Sequence, residues 1–126
     1  MNTILFSHSA CLAHETGSFH PESPDRLRAV LAALEREEFA YLDRREAPRA
    51  TVEQLSRSHA PSYVMGLLRA IPAEGMRQID ADTVVSSGSG EAALRAAGAL
   101  VAAVDAVMAG QARNAFCVGS PPGHHA

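Results

Sequence analysis

Ala115-Phe-Cys-Val-Gly-Ser-Pro-Pro-Gly-His-His-Ala126 closes the 126-residue sequence, and its first four residues decide the fold. Ala115 to Val118 is a short apolar run ended by Gly119, the pattern of a buried strand. A long helix is expected just before it, from Gly90 to Ala109, with Ser89 as its cap. Leu94, Ala97, Val101, Val104 and Met108 form its apolar stripe. Thr3 to Ser7 is a second short, buried strand at the other end of the chain. Strands separated by helices, with no hairpin signal, predict a parallel α/β sheet. Ligands of such sheets gather at the carboxyl ends of the strands. Those ends carry His8 after the first strand and His124-His125 after the last.

Between the two strands the chain reads as follows. Ser23-Pro24-Asp25 is a helix start: a capping serine, proline at the first helical position, and a carboxylate at the positive end of the helix dipole. The helix places Leu27, Val30, Leu31 and Leu34 on one face and is expected to end near Phe39. A weak strand is expected around Tyr41 to Arg45. Thr51 and Gln54 have the spacing of a capping box opening a short helix. A further helix is predicted from Pro61 to about Ala70, followed by breaks at Pro72 and Gly75 and a loop from Gln78 to Gly88. Gly98 in the middle of the last helix costs roughly 1 kcal/mol relative to Ala, so a close neighbour is expected there.

Composition narrows the classes. Apolar residues make up 47% of the chain, enough for one packed core, and the length suits one domain rather than two. The formal net charge is -3. With no basic patch, a nucleic-acid surface is not expected. All 11 basic residues are Arg and Ala is abundant, which we read as GC-rich bacterial coding. No basic, apolar leader opens the chain, and the apolar stretch from Ala92 to Ala109 is broken by Arg95 and Asp105. A cytoplasmic protein with no membrane partner is the expectation. Cys11 and Cys117 are too few for a disulfide framework and read as reduced thiols.

Pro121-Pro-Gly-His-His125 is the stretch that can carry chemistry. Two prolines stiffen the loop, glycine allows close approach, and adjacent imidazoles suit proton transfer near neutral pH. From the residues alone, a metal-binding pair or an accidental pair is an equal alternative. His8, His14 and His20 recur every six residues, but tetrahedral zinc sites need a fourth ligand and shorter paired spacings. We read them as solvent-facing or loop-ordering, with His20 and Glu22 ordering the loop before the first helix. His59 and Tyr63, one helical turn apart, read as a packing pair.

Four ordered segments bring a resemblance. Pro121 to Ala126 resembles the Pro-Pro-Gly-His-His-Ala signature of histone deacetylases, acetylpolyamine amidohydrolases and their bacterial relatives. Gly17-Ser-Phe-His-Pro-Glu-Ser-Pro-Asp-Arg-Leu27 resembles the His-Pro-Glu-x-Pro-x-Arg-Leu segment that leads into the first helix of that superfamily. His59-x-x-x-Tyr63-Val64 resembles a third element. Asp80-Ala-Asp-Thr83, with Ser89-Gly-Glu-Ala-Ala93 and Ala97-Gly98, resembles the loop and helix before the catalytic strand.

The resemblance implies the N-terminal part of a three-layer, arginase-like parallel sheet with flanking helices. Residues 3–7 and 115–119 should be neighbouring parallel strands, with the 90–109 helix on one face. It implies zinc-dependent removal of acetyl groups from acetyl-lysine or an acetylated polyamine. His124 would be a mainly electrostatic partner of the metal-bound water, and His125 the general base and then general acid. Arg26 matches an arginine near the cavity through which acetate is thought to leave. Asp82, or with less support Asp80, matches a loop carboxylate that holds substrate backbone in some members, although turn capping by Asp suits both positions better. Zinc ligands belong downstream of the His-His pair in the family, so no metal ligand is expected within residues 1–126. Ser120 stands where many relatives have Arg, so an ion pair beside this loop is expected to be missing. Read this way, residues 1–126 form the N-terminal portion of a single catalytic domain, cut after the His-His pair. The 126-residue polypeptide alone would be inactive and prone to self-association through an exposed sheet edge. The competing reading is a non-enzymatic remnant with no metal site.

Overall fold

The computed structural model describes residues 2–123. Its main sheet has three parallel strands: β1 (Thr3–Ser7) lies between β2 (Asp43–Glu46) and β5 (Asn114–Cys117). Residues 3–7 and the last strand are thus parallel neighbours, with Ile4 opposite Ala115 and Phe6 opposite Cys117. Ile4, Leu5 and Phe6 are all buried, as a central strand covered on both faces requires. Ile4 and Phe6 pack with Ala99, Ala103 and Ala106 of α4 (Ser89–Met108). Leu5 packs on the opposite face with Leu27 of α1 (Pro24–Leu34) and Val118. Helix, sheet and helix make the three layers. Leu5 and Leu27 are almost fully buried, each contributing about 1.5–3 kcal/mol of burial.

α1 begins at Pro24 as read, but Ser23 supplies only extended backbone and makes no side-chain cap bond. The helix ends at Leu34, earlier than expected, and a 3-10 turn covers Glu37–Phe39. Arg36 is the break, its backbone extended at φ -62, ψ 151. The chain there turns back so that Leu42 covers the Leu5–Leu27 cluster and β2 runs parallel to β1. The weak strand of the sequence reading is therefore real, shifted to Asp43–Glu46. Its four residues are all charged, which suits a sheet edge.

α2 (Val52–Leu55) carries both bonds of the predicted capping box: Gln54 N–H to Thr51 Oγ1 at 3.1 Å and Thr51 N–H to Gln54 Oε1 at 2.9 Å. α3 (Pro61–Ala70) has the predicted bounds. The His59 and Tyr63 rings pack with centroids 5.3 Å apart.

Two expectations are corrected. The supposed loop from Gln78 to Gly88 is an antiparallel hairpin over most of its length, β3 (Met76–Asp80) with β4 (Thr83–Ser86). Its two-residue turn, Ala81-Asp82, has no glycine, and β3 is wholly exposed, so neither turn chemistry nor alternating burial announced it. The predicted face of α4 is also wrong in part. The helix buries Ala92, Gly98, Ala99, Ala103 and Ala106, and it turns Leu100, Val104 and Met108 outward. Small residues win because they allow backbone to approach backbone. A Cβ built at Gly98 would overlap the Pro48 carbonyl and stand 2.8 Å from Ala50 N. Segment 47–50 crosses the helix there, with Ala50 N–H bonded to Leu94 O at 2.9 Å and Arg95 Nη1 bonded to Ala47 O at 3.0 Å. Arg49 and Arg95 both bond Glu91 Oε1, and the Arg49 bond chiefly holds that carboxyl below its ordinary range.

No helix among the described residues is long and apolar enough to cross a membrane.

Candidate functional site

β1 and β5 are parallel and adjacent, so their carboxyl ends deliver two loops to one edge of the sheet. After β1, His8 caps a 3-10 turn (Ser9–Ala13) by accepting the Ala10 N–H at Nδ1, 3.0 Å. The turn buries Cys11 beneath Gly119, where an added Cβ would lie 3.3 Å from Ala96 Cβ and 3.9 Å from Cys11 Sγ. Burial pushes the Cys11 thiol upward, which disfavours the thiolate.

After β5, Val118 N–H extends the ladder to Phe6 O, and the chain passes through Gly119 to Ser120. Ser120 is buried, its hydroxyl donates to Glu22 Oε1, and its bond to Pro121 is cis. Gly123 has φ +80, a conformation that favours glycine. His124 and His125, the predicted catalytic pair, lie outside the described residues.

The remaining predicted residues gather around Ser120. Glu22 Oε2 is 3.4 Å from Arg26 Nε, one turn into α1. The Glu22 N–H donates to His20 Nδ1 at 3.0 Å, and the Glu22 carbonyl accepts from Thr16 Oγ1. Since His20 Nδ1 accepts, Nε2 carries the proton and donates to Asp82 O at 2.8 Å. Asp82 N–H in turn bonds Asp80 Oδ1 at 2.9 Å. Asp80 therefore caps the hairpin turn, and Asp82 is held by its main chain with its residue exposed. A continuous chain of bonds joins Ser120, Glu22, Arg26, His20 and Asp82, residues drawn from two of the four sequence segments singled out above and from Ser120, which directly precedes a third. In place of the ion pair expected to be missing at Ser120, a hydroxyl bond reaches the same carboxylate that Arg26 pairs with.

His14 has a different task. It is buried, with Nδ1 2.6 Å from Ser89 Oγ. Ser89 Oγ accepts the Ser86 N–H at 2.7 Å, and Ser86 Oγ joins Ala13 O to Glu15 N–H. Ser89 thus locks the hairpin end to the first loop; the cap position of α4 belongs to Gly88, one residue earlier than expected. Nothing in the spacing of His14 and Ser89, 75 residues apart, revealed this. Burial lowers the His14 pKa from its ordinary 6.5. The unfolded chain then takes up a proton near pH 6.5 that the folded chain refuses, so stability falls as pH drops through that value and levels off once folded His14 is protonated. Unfolding free energies from about pH 7 to about pH 5 should show this slope in the wild type and lose part of it in His14→Gln. Parallel curves for the two proteins would contradict it.

Between the first loop and the hairpin lies an open cleft of about 600 Å³, walled by Glu15, His20, Asp25, Arg28, Met76 and Ser86. Phe19 is fully exposed on the same loop. His8, His14 and His20 serve three separate hydrogen-bonding tasks. Among the described residues no three His, Cys, Asp or Glu side chains converge as a metal ion requires.

Comparison with known proteins shows the family. The histone deacetylase domain family matches residues 20–126. A histone deacetylase-like amidohydrolase of Pseudomonas aeruginosa is 38% identical, the match covering 98% of this chain and 37% of the relative. A probable deacetylase of Archaeoglobus fulgidus is 35% identical over 100% of this chain and 35% of its own length. The crystal structure of the HDA15 HD domain superposes with a TM-score of 0.88 at 27% identity, covering 99% of this chain and 36% of that one. The chain spans little more than a third of each of these proteins. It belongs to the histone deacetylase domain family.

Proposed function

We propose that the protein built on this chain hydrolyses the amide of an acetylated amine, either acetyl-lysine in a protein or a small acetylated polyamine. The observation that carries this reading is the family match across residues 20–126, which includes the whole Pro-Pro-Gly-His-His-Ala stretch, on a sheet whose last strand leads through Ser120 to the edge where Glu22, Arg26 and Asp82 collect. In this reading His125 takes a proton from the attacking water and returns it to the departing amine. His124 is its electrostatic partner. Arg26 borders the route for acetate, and Asp82, with its main chain fixed and its residue exposed, accepts the substrate's amide N–H. Zinc enters through the family alone. Its ligands would come from residues other than those described, and it would supply polarisation of the acetamide carbonyl.

Acetate release from an acetyl-lysine peptide and from an acetylated polyamine, measured on the complete zinc-loaded domain, tests the reaction and separates the substrates. Turnover of either supports it, and turnover of neither contradicts it.

Self-association is part of the same proposal. Among the described residues β5 pairs only with β1, and Phe116 on it is half exposed. An apolar strand with an unpaired edge invites a partner strand. Sedimentation of the 126-residue polypeptide should show dimers or larger species, whereas a thermally stable monomer would count against it.

A further inference from the structure

Every polar group of Glu22 is engaged, and each bond leads to a different part of the chain. Its N–H meets His20, its carbonyl meets Thr16, one carboxylate oxygen meets Ser120 and the other meets Arg26. The side chain is only 17% exposed. Ser120 is 2% exposed, and Glu22 is the partner of its hydroxyl. The next two residues, Pro121 and Pro122, have no N–H, so they donate no main-chain hydrogen bond. The Ser120 hydroxyl is thus the last donor before Gly123 by which the loop leaving β5 is tied down.

We propose that Glu22 is a positioning residue: through Ser120 it fixes the Pro121-Pro122-Gly123 loop against the start of α1, and through Arg26 its own carboxylate is held in place. This rests on the functional reading only in taking that loop to present His124 and His125. A serine can fill the position because its short hydroxyl reaches a carboxylate that Arg26 already orients. The two chain segments are 98 residues apart in sequence, so the tie is purely tertiary.

The test uses the complete domain with Glu22→Ala, Glu22→Gln, Ser120→Ala, Ser120→Thr and the Glu22→Ala/Ser120→Ala double variant. Two readouts are taken: amide hydrogen exchange at Gly119, Ser120 and Gly123, and kcat and KM for acetate release. Glu22→Ala and Ser120→Ala should each speed exchange at those amides about tenfold, the loss of one hydrogen bond to a charged group. Exchange in β1 should not change. kcat should fall by a similar factor with KM within about twofold, because the loop bears catalytic groups and not the bulk of the binding surface. Ser120→Thr should behave as wild type. The double variant should be no worse than the worse single, since both remove the same bond. Glu22→Gln keeps an acceptor for Ser120 and the shape of the side chain, so it should fold and give a smaller rise, which decides the question if Glu22→Ala does not fold. Unchanged exchange in Glu22→Ala and Ser120→Ala, or effects that multiply in the double variant, would overturn the proposal. An unmodified domain without turnover would sink the functional reading and leave the exchange result to judge Glu22.

Discussion

Gly98→Ala should destabilise the fold by about 2–4 kcal/mol, although helix propensity alone would make it stabilising by about 1 kcal/mol. The added methyl would meet backbone: it would overlap the Pro48 carbonyl and stand 2.8 Å from Ala50 N. A side chain could rotate away, but a main chain pinned to Leu94 O and to Arg95 cannot. The protein must therefore move segment 47–50 off α4, losing those bonds and the contact of buried Ala47 with the core. Gly66, in α3, is the control. Nothing lies within 4 Å of its added Cβ, so Gly66→Ala should gain up to about 1 kcal/mol. Urea unfolding of the two variants should shift the midpoint in opposite directions. A stabilised Gly98→Ala protein would show that segment 47–50 does not seat where we find it.

That contrast also shows what the sequence could and could not reveal. Gly98 announced a close approach because a helix tolerates glycine only for a reason, yet its partner, Pro48, could not be read from spacing. The central strand was legible because Ile4, Leu5 and Phe6 leave no polar face. Charged Asp43 to Glu46 carried almost no strand signal, since an edge strand needs only its backbone to pair. α4 misled because apolar size was taken as the mark of burial, while close backbone packing selected alanine. The hairpin lacked the turn residues that usually betray one. At the site, two of the sequence segments named His20, Glu22, Arg26 and Asp82, but the bonds joining Ser120 to Glu22 and His20 to Asp82 span 98 and 62 residues and arise only on folding. His124 and His125 remain assigned by resemblance, as they lie outside the described residues.

His125→Ala, in the complete domain, should lower turnover by ~10²-fold or more while leaving zinc content near that of the unmodified protein. A general base that moves a proton lowers the barrier without holding the metal, so its loss should appear in kcat and not in metal binding. The 126-residue polypeptide by itself should release no acetate above background even with added zinc, because two imidazoles without a carboxylate shell give no open tetrahedral site. The most direct test of the whole reading is acetate release by the unmodified and His125→Ala domains on the better of the two acetylated substrates, with zinc measured in the same samples. The account predicts a ~10²-fold or greater gap at equal zinc; a His125→Ala protein that keeps most of its turnover would contradict it.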